Sequence, residues 1–206
     1  MTLEEQLASA TLSTLKAQLK PHFLFNTLNM VDFLIHTDQK KAIKTIEKLE
    51  DLIKTTFDKN QPNSCTVETE LIFLKKYLDI EKERFQDRLR VNFNIDEEVS
   101  GIKIPCYLIQ PLVENSIKHG VGKTLDRCTI TIQAKMRGSF FTIKVSDNAK
   151  NGPRNTTQKI EKGVGLKNIE ERIKIYFGVE SFLDVGSSSN GNFKSAIVIP
   201  NKYLIK

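Results

Sequence analysis

No stretch of this 206-residue sequence reaches the ~18 consecutive apolar residues of a membrane-spanning helix, and its N-terminus lacks the pattern of a secretory leader. Cysteine is scarce. Cys65, Cys106 and Cys128 are odd in number, scattered and without metal-ligand spacing, which argues against a disulfide framework or a zinc site and predicts reduced thiols in a cytoplasmic protein. Internal repeats are absent. A strong charge of one sign is missing too: 31 basic and 25 acidic residues leave a net charge of +6. Residues 1–60 are balanced, so the excess belongs to the rest, spread through helices and a loop. It forms no basic stripe interleaved with aromatics, which argues against direct contact with nucleic acid. An anionic small ligand is the better use for it.

What is present reads as an ordinary globular chain, with 39% hydrophobic and 27% charged residues. Helical spacing runs from Leu3 to Ile35, as one helix or two joined at Pro21. Leu12, Leu15, Leu19, Phe23 and Met30 share one stripe, and Leu24, Leu28, Val31 and Ile35 make a second apolar face. Asp38 is an N-cap candidate for a second helix, which runs from Ala42 to about Asp58. The two helices read as an antiparallel hairpin whose apolar faces are too wide for a monomer, which predicts a homodimer. The polar stretch Asn60–Ser64 marks a boundary between residues 1–60 and residues 66–206.

Beyond it, a helix is expected over Glu68–Phe85, a strand over Leu89–Ile95 and a helix over Pro105–His119 stopped by Gly120. A hairpin of Cys128–Lys135 with Phe140–Ser146 follows. Asp147–Lys162 is a polar loop, and Gly165–Phe177 is a helix stopped by Gly178. Strands over Ser181–Val185 and Phe193–Ile199 close the chain. The predicted fold class is α+β, helices layered on a mixed sheet.

Chemistry gathers in four places. Pro21-His22-Phe23-Leu24-Phe25-Asn26 sets one nucleophile-capable imidazole among large apolar groups, with Asn26 one helical turn above His22 on the same side. Glu114, Asn115, Lys118 and His119 fall within about a turn and a half of one helix. Glu114 and Lys118 have the spacing of an ion pair. A carboxamide and a carboxylate facing a cleft can equally hold hydrated magnesium, with Lys118 or His119 on phosphate oxygens. Asp147 ends an apolar strand, where a carboxylate can accept a hydrogen bond from the exocyclic amine of a purine. Gly163-Val164-Gly165-Leu166 precedes a helix, whose N-terminal amides can approach an anion.

In this order and spacing the last three resemble the N, G1 and G2 boxes of the GHKL (Bergerat) ATP-binding fold, shared by histidine kinases, gyrase-type ATPases, Hsp90 and MutL. The Pro21–Asn29 segment resembles the phosphoacceptor helix of LytS/YehU-like sensor histidine kinases. Tyr77–Phe85 and Ile104–Asn115 follow that family's pattern, so the resemblance covers roughly residues 15–200. It implies an N-terminal dimerising helical hairpin followed by a GHKL α/β sandwich. His22 would accept the γ-phosphoryl group of ATP, with Asn26 and Glu114 beside the chemistry. Asn115 would ligate Mg2+, Asp147 would bind adenine, and Lys118, His119, Gly163, Gly165 and Leu166 would complete the ATP site. The resemblance further implies a response-regulator partner, often a DNA-binding LytTR type, and sensor and membrane segments upstream in a longer protein. The G1 box departs from the usual Asp-x-Gly-x-Gly at Ala149 and Asn151. That opens one alternative, an ATP-binding-impaired pseudokinase acting as a dimeric scaffold or phosphatase; a second is a gyrase/MutL-type ATPase with Glu114 activating water.

Overall fold

The computed structural model describes residues 21–56, 62–149, 163–187 and 192–204. The chain divides into two compact units, residues 1–61 with 75–84 and residues 62–74 with 85–206.

The first unit holds helix α1 (Pro21–Thr37), helix α2 (Gln39–Thr56) and the second part of helix α3 (Val67–Phe85). Asp38 caps α2 as its position predicts, its Oδ1 accepting the Lys41 N–H at 3.1 Å. The buried side of α1 differs from the expected stripes. Phe23, Thr27, Val31 and Leu34 face inward, whereas Leu28 and Ile35 are exposed. The cause is Thr27, which lies between Phe23 and Val31 on the helical wheel. Its hydroxyl donates to the Phe23 carbonyl at 2.8 Å, so a polar residue is buried with its donor satisfied. Leu12, Leu15, Leu19 and the rest of the expected helix before Pro21 lie outside the described residues, as does Asp58.

The second unit is a five-stranded mixed sheet with helices. Strands β2 (Leu89–Ile95), β4 (Cys128–Arg137), β5 (Phe140–Asp147), β7 (Phe193–Pro200) and β6 (Phe182–Ser187) lie side by side in that order. β2 runs parallel to β4, and the other neighbours are antiparallel. Burial alternates along β5 and along β4 as far as Lys135, as one covered face requires. Helices α4 (Gln110–His119) and α5 (Val164–Phe177) pack with this sheet and with each other. The predicted α+β layering forms.

Two elements depart from expectation. The turn between β4 and β5 is shorter than predicted, because the strands pair as far as Arg137 and Phe140 and leave Gly138 in the left-handed region at φ 56°. Helix α4 starts at Gln110 rather than Pro105. Residues 103–105 instead form strand β3, paired with strand β1 (Ser64–Thr66) in a ribbon too short to show alternation in sequence. The chain then turns through Tyr107, a non-glycine residue at φ 58°. Its amides are drawn to a buried acceptor: Glu70 takes the N–H groups of Tyr107 (2.5 Å), Ile109 (2.9 Å) and Gln110 (3.4 Å). The ribbon also brings the Cys65 thiol beside that of Cys106; both are free, and burial pushes both pKa values up.

Candidate functional site

His22 is exposed in the first turn of the described helix, and its neighbour Phe23 is only 4% exposed. Phe23 is anchored against the ring of Tyr77 at 4.8 Å between centroids. The Tyr77 hydroxyl donates to Glu81 Oε1 at 3.2 Å, and buried Glu81 pairs with Arg84 at 2.8 Å. An anchored residue 23 thus presents residue 22 outward. The Asn26 amide nitrogen lies 3.0 Å from Nδ1 and 3.4 Å from Nε2 of His22. A donor in the ring plane on the Nδ1 lone pair would stand about 5 Å from Nε2. The amide therefore lies over the ring rather than on a lone pair, and it does not select a tautomer.

The other candidates lie in the sheet unit. On α4, Glu114 is buried and half-buried Asn115 follows it, while Lys118 and His119 are exposed at the helix's end. Glu114 Oε1 accepts a hydrogen bond from Gln110 Nε2 at 2.9 Å, one turn toward the N-terminus rather than toward Lys118. Asp147 ends β5 and is 4% exposed. Burial pushes its carboxyl pKa up, while Ser116 and the N–H groups of Ala149 and Phe193 pull it back. Only the Ala149 N–H makes a well-formed bond, to Oδ1 at 3.2 Å; Asp147 Oδ2 and the nearby Ser116 hydroxyl stay buried and unpartnered among the described residues. Such an orphan acceptor fits a donor brought by a ligand.

Gly120 lies against the same carboxylate. A Cβ there would come within 2.5 Å of the Ser116 carbonyl and 3.1 Å of Asp147 Cγ. Its φ is −93°, so what requires glycine at this helix stop is close approach rather than a left-handed backbone. Ser116 and Gly120 were missed as site residues because both look like ordinary helix-end residues. The short spacing from Asn115 to Gly120 was the available signal.

Gly163 caps α5, its carbonyl accepting from the N–H groups of Leu166 (3.0 Å) and Lys167 (3.1 Å). Gly163 and Gly165 are exposed, with open space where a Cβ would point, and Leu166 is buried. Ala149 is buried with φ outside the left-handed region, so its backbone does not demand the glycine it replaces. Lys150, Asn151, Arg154, Lys159 and Lys162 lie outside the described residues. Among the described residues no cluster of three or more His, Cys, Asp or Glu side chains could hold a metal. A cation here would rest on the Asn115 carboxamide together with ligand and water oxygens, a donor set that suits magnesium.

A histidine kinase family model matches residues 10–89. The chain is 38% identical over 197 residues to the putative uncharacterized protein YwpD of Bacillus subtilis, covering 89% of this chain and 69% of that one. It is 34% identical over 203 residues to the sensor histidine kinase BtsS of Escherichia coli, covering 96% of this chain but only 35% of BtsS. Among solved structures, the histidine kinase domain of the Erythrobacter litoralis blue-light activated histidine kinase is similar with a TM-score of 0.50, at 14% identity and 93% coverage of both chains. At that identity the likeness shows the fold alone.

Proposed function

The chain belongs to the LytS-like sensor histidine kinases, and on that premise we propose that it is the catalytic core of a two-component system, phosphorylating itself on His22 and passing the phosphoryl group to an aspartate of a response regulator. The single observation that carries the nucleotide half is Asp147, a buried carboxylate with one unpartnered oxygen against a glycine that admits no side chain. When bound, magnesium ATP supplies the γ-phosphoryl group and neutralises its charge.

This chain's residues then hold and orient. Asp147 accepts from the adenine amine. Asn115 ligates the metal, and Glu114, oriented by Gln110, stands beside it. Lys118 and His119 meet phosphate oxygens from the end of α4. Gly163, Gly165 and Leu166 frame the phosphates at the start of α5, where free amides and the helix dipole favour anions. In the helical unit, the in-plane nitrogens of His22 face no described partner except the Asn26 amide over the ring, so the nucleophilic lone pair is accessible. Residues 1–60 are the phosphoacceptor and dimerisation segment, and residues 66–206 the ATP-binding segment.

Exposed Phe25, Leu28, Phe33, Ile43 and Ile46 on α1 and α2 support a homodimer through these helices. The partner is a response regulator of the DNA-binding LytTR type. The chain spans about a third of BtsS, and we place it in the cytoplasmic portion of a longer membrane-anchored sensor. The pseudokinase alternative draws no support from the Ala149 backbone, which needs no glycine.

The test is labelling with γ-labelled ATP and magnesium, comparing wild type with His22→Gln. Acid-labile, base-stable label on wild type alone is expected. Absence of label on both, with no thermal shift from nucleotide, would overturn the kinase reading. Steady phosphate release that survives His22→Gln would favour the gyrase-type ATPase instead.

A further inference from the structure

Helix α4 begins without a cap of its own: Ile109, at the N-cap position, has no side-chain acceptor. The first N–H groups of a helix need partners. Glu70, 2% exposed on α3, supplies them from outside, accepting from Tyr107, Ile109 and Gln110. Arg172 of α5 holds the same turn by its opposite ends. Its guanidinium donates to the carbonyls of Cys106 (2.5 Å) and Tyr107 (3.5 Å). A carboxylate thus takes the amides and a guanidinium the carbonyls of one short turn. That turn includes a non-glycine residue at φ 58°, a conformation that persists only where its surroundings impose it.

The hydrogen bonds continue along the helix. Gln110, whose N–H reaches Glu70, donates through its side chain to Glu114, the residue before Asn115. We infer that Glu70 and Arg172 are positioning residues that together fix the axial position and rotation of α4, and through it hold Asn115 where the magnesium–phosphate end of the nucleotide is bound. A slip of one residue would move Asn115 by about 1.5 Å and turn it by about 100°. Metal ligation tolerates far less. The inference rests on the nucleotide reading. It adds that α3 and α5 meet at the start of the helix that bears the metal ligand.

A plain fold-stabilising cap would weaken every mode of nucleotide binding alike, whereas a positioning role acts on the magnesium-linked part. The full chain is titrated with ATP, once with magnesium and once with excess chelator, as wild type, Glu70→Gln, Arg172→Ala and the double variant. Backbone amide exchange is followed at Ile109 and Gln110. Glu70→Gln turns one acceptor into a donor facing N–H groups, and Arg172→Ala keeps the test alive should that variant not fold. The affinity for magnesium ATP should fall roughly 10- to 100-fold in either single variant. Affinity in chelator should change less than about twofold, since adenine recognition by Asp147 is untouched. The double variant should be no worse than the more severe single one, and exchange at Ile109 and Gln110 should quicken. Equal losses with and without magnesium, additive effects, or unchanged exchange would overturn the inference while leaving the nucleotide reading standing. A wild type that binds ATP under neither condition would overturn the nucleotide reading itself, and with it this role for the clamp.

Discussion

The two units treat polarity in opposite ways. In the helical unit the proposed phosphoacceptor and much apolar surface lie outside: His22 is exposed, and Phe25 and Phe33 are 64% and 65% exposed. Its buried polar groups are internally satisfied: Thr27, Thr45 and Thr56 each donate to the carbonyl one turn back at 2.7–2.9 Å, and buried Glu81 pairs with Arg84 at 2.8 Å. In the sheet unit the carboxylates of Glu70, Glu114 and Asp147 are inside. A group that must be reached by other macromolecules belongs on an open helix. A group that must recognise a small molecule gains from burial, because an unpaired buried acceptor penalises any ligand that fails to supply a donor.

The largest effect expected is a clean separation of the two halves. His22→Gln should lose all acid-labile label yet keep nucleotide affinity within about twofold, whereas Asp147→Ala should lose nucleotide binding and label together. Labelling and equilibrium binding on the same preparations check this. Weakened binding in His22→Gln would break the comparison, because the exposed imidazole would then be part of the pocket.

Next in size are paired substitutions that differ only in burial. Phe23→Ala removes a 4% exposed ring packed at a tilt against Tyr77 and should cost about 3–5 kcal/mol in urea unfolding. Phe25→Ala should change stability of the isolated protomer by less than about 0.5 kcal/mol and act on self-association instead. Sedimentation against concentration reads that second effect. Gly120→Ala should cost about 1–3 kcal/mol and abolish the thermal shift with nucleotide, since its methyl meets backbone and Asp147. Gly165→Ala has open space and should leave urea stability within about 1 kcal/mol of wild type.

Much of this was legible in the sequence, and what was not has local causes. Period-two alternation announced β4 and β5 because one face is fully covered. His22, Asn115 and Asp147 were singled out as candidates by short motifs, and the structure places His22 exposed, Asn115 half-buried and Asp147 buried. Which side of α1 is buried was not readable, since Thr27 reads as polar until its hydroxyl is seen bonded to its own helix. The start of α4 failed for a different reason. Pro105 can open a helix, but Pro105 to Ile109 has little helix propensity of its own, and a carboxylate on α3, dozens of residues away, holds the segment as a turn. The closeness of the free Cys65 and Cys106 thiols was invisible for the same reason, following from the β1–β3 ribbon.

The smallest effect sharpens the comparison most, because one carboxylate of each unit, Glu83 and Asp147, should respond to pH with opposite sign. Burial would raise the Glu83 pKa, but hydrogen bonds and charge from Lys41 and Lys48 (2.9 and 3.2 Å) outweigh it and hold the carboxyl below its ordinary 4.5. The folded state then binds fewer protons than the unfolded one. Its contribution is present above pH 4.5 and is lost as pH falls through the lowered value. Asp147 is the reverse: burial lifts it above 3.8, so folding favours the protonated form. Its contribution is fully present below pH 3.8 and is lost as pH rises through the raised value. Urea unfolding of Glu83→Gln and Asp147→Asn beside wild type, from acid to neutral pH, separates the two. Wild type should gain on Glu83→Gln as pH rises, by less than about 1 kcal/mol for a partly exposed pair. It should lose ground to Asp147→Asn over the same range. Slopes of the same sign would mean that the Asp147 carboxylate finds a donor in the folded protein, and the unpaired oxygen on which adenine recognition rests would not exist.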